Sequence, residues 1–224
     1  MIYDLHIHSI YSKDSFLKPV EILHHARKKG LSGVAITDHN SIKGGIMCLK
    51  LNSDDNFHVI VGSEIKTEYG DLIGLFLQED IKSVKFIETV EEIKDQGGLA
   101  ILAHPFRKEK KLNSDIPSEY LKKVDCIEVF NARSPHFSNL KAFNLAIEYK
   151  KPMSAGSDAH LGFEIGRGKL KIDTPYSPSE ISNANIISES KVSNYYFVHG
   201  MSYVIENIKK YIPITRRLNG GNQL

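Results

Sequence analysis

Short apolar runs at residues 2–8, 33–37, 58–64, 71–77, 99–104, 125–131 and 153–157 each end close to a polar residue, with longer amphipathic segments between most of them. Strand-length runs alternating with helical periodicity predict βα units around a parallel sheet, and so an α/β fold. Residues 19–29 show the helical pattern clearly. Val20, Leu23 and Ala26 make an inward stripe, Glu21, His25 and Lys28 face outward, Pro19 opens the segment and Gly30 ends it. Residues 84–96 repeat it with Ile87, Val90, Glu91 and Lys94 ahead of Gly97 and Gly98, and residues 137–149 do so with Leu140, Phe143 and Ile147. There is no internal repeat or low-complexity tract, and only 108–118 and 219–224 read as linkers. Past Leu161 the alternation weakens. The tail offers a strand-like 169–172, a helix at 178–187 and an amphipathic 203–211, and it is expected to form a cap or an extra layer.

With 224 residues, 41% of them hydrophobic, the chain can bury one substantial core, so a single domain is expected, with its core at about residues 1–168 and an extension at 169–224 packed on it. The net charge of +2, from 29 basic against 27 acidic residues, is too even for the broad basic footprint of a tight duplex-binding protein and suits a small anionic substrate. Cys48 and Cys126 have no CxxC spacing and cannot make a disulfide framework; they read as reduced, buried thiols. The N-terminus runs directly into a strand pattern, and no stretch approaches the roughly 18 apolar residues of a membrane span, so a soluble cytoplasmic protein is expected.

The chemistry lies at the ends of the apolar runs. His6 and His8 are two apart, which puts both imidazoles on one face of a strand while Tyr3, Leu5 and Ile7 face the other way. Asp158 and His160 repeat that spacing just after residues 153–155, giving a second pair with mixed nitrogen and oxygen donors. Between the pairs, Asp38 and His39, then Glu64, then His104 each follow an apolar strand, and Asp14 follows the first strand by a short loop. Taken singly, Asp14 caps a turn, Glu64 ends a strand in solvent and His104 sits in a loop before Pro105. Their common placement at strand ends points instead to one metal site, because the C-terminal ends of barrel strands converge on one mouth. Asp38 reads as a partner that orients an imidazole as readily as a ligand. His24, His25, His58, His136 and His199 carry no such pattern, and none is expected to bind metal; His199 is placed near the end of a late strand.

In order along residues 1–168 stand Asp-Leu-His6-Ile-His8-Ser with Asp14, Ile-Thr-Asp38-His39-Asn, Gly-Ser-Glu64, Ala-His104-Pro-Phe-Arg107, Glu-Val-Phe-Asn131 and Gly-Ser-Asp158-Ala-His160. This set resembles the PHP (polymerase and histidinol phosphatase) superfamily, in its branch of stand-alone phosphoesterases. The resemblance implies a distorted (β/α)7 TIM-like barrel with the metal site at the C-terminal ends of the strands, in agreement with the seven runs counted above. It implies two or three divalent ions (manganese, iron or zinc). One would be held by His6, His8, Glu64 and Asp158 with Glu64 bridging, a second by Asp14, His39 and His160, and a third by Glu64 and His104. The run at 71–77 reads Asp-Leu-Ile-Gly-Leu-Phe-Leu and lacks the histidine that some three-metal relatives place there. Asp14 stands where other members have histidine, an oxygen-rich exchange that favours manganese or iron over zinc.

Two ions about 3.5–4 Å apart can generate a bridging hydroxide and hold a phosphate in line. The expected activity is therefore hydrolysis of a phosphomonoester or a small phosphodiester such as a nucleotide. Arg107, Arg133 and Arg167 are candidates for stabilising the equatorial oxygens, with Arg107 and Arg167 preferred, and each reads equally as a rim ion pair. Asn131 either donates to substrate or caps a turn, and the leaving-group acid is a bound water, His160 or Asp38. The alternatives are histidinol phosphate hydrolysis, an oligonucleotide exonuclease, and a scaffold module that has lost chemistry; the last is disfavoured by the eight intact ligand candidates. The sequence leaves the oligomeric state open.

Overall fold

The computed structural model describes residues 1–107, 116–172, 185–187 and 195–211. All seven predicted strands form: β1 (Ile2–Ile7), β2 (Gly33–Ile36), β3 (His58–Thr67), β4 (Gly70–Leu75), β5 (Leu99–Leu102), β6 (Cys126–Asn131) and β7 (Met153–Gly156). They lie side by side in chain order, with β8 (Lys169–Lys171) and then β9 (Asn185–Ile187) on the free side of β1. The sheet curls into a nearly closed barrel. At the seam between β1 and β7, His8 N donates to Ala159 O at 2.8 Å and Ala159 N to His6 O at 3.3 Å. Gly156 permits this approach, since a Cβ there would lie 2.3 Å from His6 Cβ. At the other end of the seam, β8 pairs antiparallel with β1.

The helices α1 (Pro19–Lys28), α2 (Lys43–Leu51), α3 (Phe86–Asp95), α4 (Ser118–Leu121) and α5 (His136–Tyr149) connect most successive strands, and α6 (Tyr195–Tyr211) follows the barrel. A cluster containing Tyr3, Leu5, Ala35, Ile60, Ile73 and Ile101 includes no helical residue and fills the lumen. Two others pack helices onto the outside, one around Phe86, Val90 and Ile93 and one around Ile22, Leu23 and Ala26. Cys48 and Cys126 are free and buried. Among the described residues, no helix is long and apolar enough to cross a membrane.

The distortion of the barrel has a specific form. Only Glu68 and Tyr69 separate β3 from β4, so the two make a hairpin and β4 runs antiparallel to both β3 and β5. The N-terminal end of β4 therefore lies at the mouth where the other strands end. In β1 the register against β2 shifts between Asp4 and Ile7. Strict alternation is broken as a result, with Tyr3 and Leu5 in the lumen cluster while Ile7 joins the cluster under α1. Such shifts re-aim side chains beside functional sites.

Several elements depart from the expectations above. In α1 the buried stripe is Pro19, Ile22, Leu23 and Ala26, and Val20 is 59% exposed. In α5 the expected inward residues Leu140, Phe143 and Ile147 are exposed, and the buried face is Ser138, Asn139, Ala142 and Ala146. Small residues let α5 lie close to β6. There Asn139 brackets Asn131, accepting its N–H at 3.2 Å and donating to its carbonyl at 3.1 Å. Residues 185–187, expected to end a helix, form β9 because β8 offers them an edge; 178–184 fall outside the described residues, as do 108–115 and 219–224 of the expected linkers. The amphipathic 203–211 is the later half of α6, and His199 lies on that helix rather than on a strand.

Candidate metal centre

The strand ends bring all eight predicted ligands to one mouth. His8 Nε2 lies 3.1 Å from Glu64 Oε2 and 3.3 Å from Asp158 Oδ1, and His6 Nε2 lies 3.4 and 3.6 Å from the same two atoms. Glu64 Oε2 also approaches His39 Nδ1 at 3.3 Å, and its Oε1 meets His104 Nε2 at 2.8 Å. On the far side, Asp14 Oδ2 stands 3.0 Å from His160 Nε2 and 3.4 Å from His39 Nε2. Glu64 is thus central, with each oxygen turned to a different group of imidazoles. Among the described residues, four donor sets are compact enough for an ion: His6, His8 and Asp158; His8, Asp14, His39 and His160; His6, His104 and Glu128; and Glu64, Asp71 and His104.

The imidazole orientations fit metal ligation. His6 Nδ1 faces Glu128 Oε1 at 2.9 Å, His8 Nδ1 faces Ser12 Oγ at 3.0 Å, and His160 Nδ1 faces the Asp158 carbonyl at 2.8 Å. Each Nδ1 thereby carries its proton toward an acceptor and leaves Nε2 as the donor of a lone pair. The Nε2 atoms of His6 and His8 lie 3.1 Å apart. Among the described residues, Asp14 Oδ1 and Asp158 Oδ1 are buried without a hydrogen-bond partner, an arrangement that costs free energy unless a cation compensates it. His104 and Asp158 also hold φ values of 25° and 55°. Left-handed backbone of this kind in residues other than glycine is concentrated at functional sites.

The local electrostatics agree. Burial opposes charge on Glu64, yet His39 and His6 hold its carboxyl well below the usual range. Asp14 is likewise held low, against its burial, by His160. Burial, reinforced by Arg133, drives His160 down to about 3, and burial with Arg107 lowers His104. His6 is the exception: burial would lower it, but Glu128 and Glu64 raise it to about 9. Ionised carboxylates beside the uncharged imidazoles of His104 and His160 form a site that accepts divalent cations, and at His6 a cation must displace the proton.

The remaining predicted residues separate. Arg107 reaches the centre, pairing with Asp158 Oδ2 and donating to Asn131 Oδ1 at 3.0 Å. Arg133 is buried in a two-pronged pair with Glu164 at 2.9 and 2.8 Å, and Arg167 lies over the Phe163 ring. Neither lines the cavity above the metal residues, whereas Arg107 does. Asp38 sits beneath the mouth, accepting the N–H and Oγ–H of Ser9 at 2.6 Å each, with Gly44 packed against its carboxylate. Asn131 Nδ2 links Glu128 Oε2 at 3.1 Å to Asp158 Oδ2 at 3.2 Å.

Sequence reading missed Glu128 and Asp71. Glu128 is a carboxylate inside an apolar strand, a signal that the motif wording obscured. Asp71 reaches the mouth only because β4 is reversed, and the two-residue hairpin before Gly70 was the available clue. A cavity of about 590 Å³ opens above the centre, with Tyr11, Lys13, Lys66, Arg107, His199 and Glu206 among its walls.

The PHP domain model matches residues 4–124 and the PHP-associated model residues 136–184. An uncharacterized protein of Methanocaldococcus jannaschii is 46% identical over 140 residues, 58% of this chain and 81% of that protein. A second from the same organism is 35% identical over 216 residues, 92% of this chain and 86% of its own length. Among solved structures, a two-domain protein from Bacteroides vulgatus containing a predicted PHP-like metal-dependent phosphoesterase superposes with a TM-score of 0.67 at 20% identity. That match covers 77% of this chain and 58% of the other, so the present chain spans little more than half of that protein; at this identity the likeness concerns the fold.

Proposed function

The chain belongs to the PHP family, and we propose from that premise that it hydrolyses a phosphate ester of a small molecule of nucleotide size, using divalent ions held by His6, His8, Asp14, His39, Glu64, His104, Asp158 and His160. The observation that carries the reading is the convergence of the His6, His8 and His160 Nε2 atoms on Glu64, Asp14 and Asp158, with two buried carboxylate oxygens that have no hydrogen-bond partner among the described residues. When bound, divalent ions would supply an activated water at neutral pH and neutralise charge on the phosphoryl oxygens. The chain's own residues do the rest. Arg107 presents guanidinium donors beside Asp158 for the equatorial oxygens, and Lys13 and Lys66 add positive potential to the cavity wall. Glu128 and Ser12 keep His6 and His8 in the ligating tautomer. Buried thiols that stay reduced suit a cytoplasmic setting, and the even charge balance argues against tight duplex binding.

The test is phosphate release from a panel of phosphomonoesters and p-nitrophenyl phosphodiesters, with protein reconstituted in manganese, iron or zinc, beside a variant carrying both Asp158→Ala and His160→Ala. Metal-dependent turnover that disappears in the double variant is expected, and the panel then separates monoester from diester preference. A wild-type protein that binds no metal would sink the proposal.

A further inference from the structure

Helix α6 lies beyond both segments matched by the family models, yet it reaches the loop that carries the metal ligands. Lys209 on this helix is 3% exposed. Its Nζ donates to the main-chain carbonyls of Ile10 at 2.8 Å and Ser12 at 2.5 Å, and it stands 5.2 Å from the centre of the Phe16 ring. A buried ammonium is expensive unless its donors are met, so these acceptors define where the helix can dock. Ser12 is also the residue whose Oγ faces His8 Nδ1 at 3.0 Å and accepts the main-chain N–H of His39 at 2.9 Å. Two residues further along the same loop is Asp14. A solvent-side tie, Lys13 to Glu206 at 3.2 Å, joins the same loop to the same helix.

We propose that Lys209 is a positioning residue of the metal centre: by clamping the carbonyls of Ile10 and Ser12 it sets the Ser12 hydroxyl that orients the His8 ring and anchors the His39 main chain, and it holds Asp14 in place to complete the site. The C-terminal helix is then part of the metal centre without supplying a ligand. This inference rests on the metal reading of the mouth given above.

The test uses the full chain and manganese alone. Lys209→Met keeps the apolar stem and removes both donors, and Ser12→Ala removes the relay while leaving Lys209 in place. Manganese affinity is measured by chelator competition, cobalt ligand-field spectra report the ligand geometry, and circular dichroism with thermal melting of the metal-free protein reports the fold. Folded Lys209→Met is expected to bind manganese about 10–100-fold more weakly, the usual effect of losing an outer partner of a ligating imidazole, with a changed cobalt spectrum. Ser12→Ala is expected to do the same, and Lys209→Arg to recover part of the affinity. Wild-type affinity and spectrum in a folded Lys209→Met would overturn the proposal. If that variant does not fold, Ser12→Ala decides, and unchanged affinity there overturns it equally. Absence of manganese binding by the wild type would instead remove the metal reading on which the inference rests.

Discussion

Replacing Glu128 by glutamine separates the two effects that this buried carboxylate has on His6. Glu128 Oε1 faces His6 Nδ1 at 2.9 Å, while Oε2 accepts the His104 N–H at 2.8 Å and an Asn131 Nδ2–H at 3.1 Å. Burial alone would lower the His6 pKa, but Glu128, and after it Glu64, lift it to about 9. Near pH 7 the metal-free site therefore holds a proton on His6 with a preference of about 100-fold, and an ion must displace it. Manganese affinity is expected to rise by about tenfold per pH unit toward pH 9 and to level off above it. Glutamine removes the negative neighbour with the largest effect, so the His6 pKa falls and the plateau begins at lower pH. It also loses the charged acceptor that orients the ring, a change that costs about 10–100-fold in affinity, or about 1.4–2.7 kcal/mol. At pH 9 the variant should show that whole deficit; near pH 7 the gap should narrow, because its proton penalty is smaller. Chelator competition across this range for both proteins measures the two curves. Parallel curves, or a wild-type affinity that does not change with pH, would refute the assignment of His6 and Glu128.

The same raised pKa makes a statement about stability. With His6 lifted from 6.5 to about 9, its contribution to the metal-free fold is fully present below pH 6.5 and is lost as pH rises through 9, so the apo protein should melt progressively lower over that interval; a flat profile would contradict it. Asp71→Asn should reduce the number of bound ions or weaken the last one, read by elemental analysis after dialysis, whereas unchanged stoichiometry and affinity would exclude Asp71 from the centre. Gly156→Ala places a Cβ 2.3 Å from His6 Cβ at the barrel seam, and urea unfolding should show a loss of about 1–3 kcal/mol together with weaker metal binding. Asp14→His should shift metal content after purification without chelator from manganese or iron toward zinc, and an unchanged metal profile would count against the role given to Asp14.

What was legible and what was not divides along physical lines. His6, His8, Glu64, His104, Asp158 and His160 were found because each lies at the end of an apolar run, and such runs are local features of the chain. The arginines could not be sorted in the same way. Arg107, Arg133 and Arg167 occupy similar places after their motifs, but Glu164, distant in sequence from Arg133, is what draws its guanidinium into the interior. The stripe of α5 misled because Leu140, Phe143 and Ile147 have the right period, while the buried face was settled by how closely β6 accepts small side chains.

By itself, the sequence determined the α/β class, the seven barrel strands and the set of metal-ligand candidates, because hydrophobic period and strand-end chemistry are written within a few residues of one another. The tertiary structure decided the direction of β4, which puts Asp71 at the mouth, the hub role of Glu128, and the docking of α6 through Lys209. Each of these depends on contacts between residues far apart in the chain, where the geometry of the closed barrel, rather than local pattern, selects the partners.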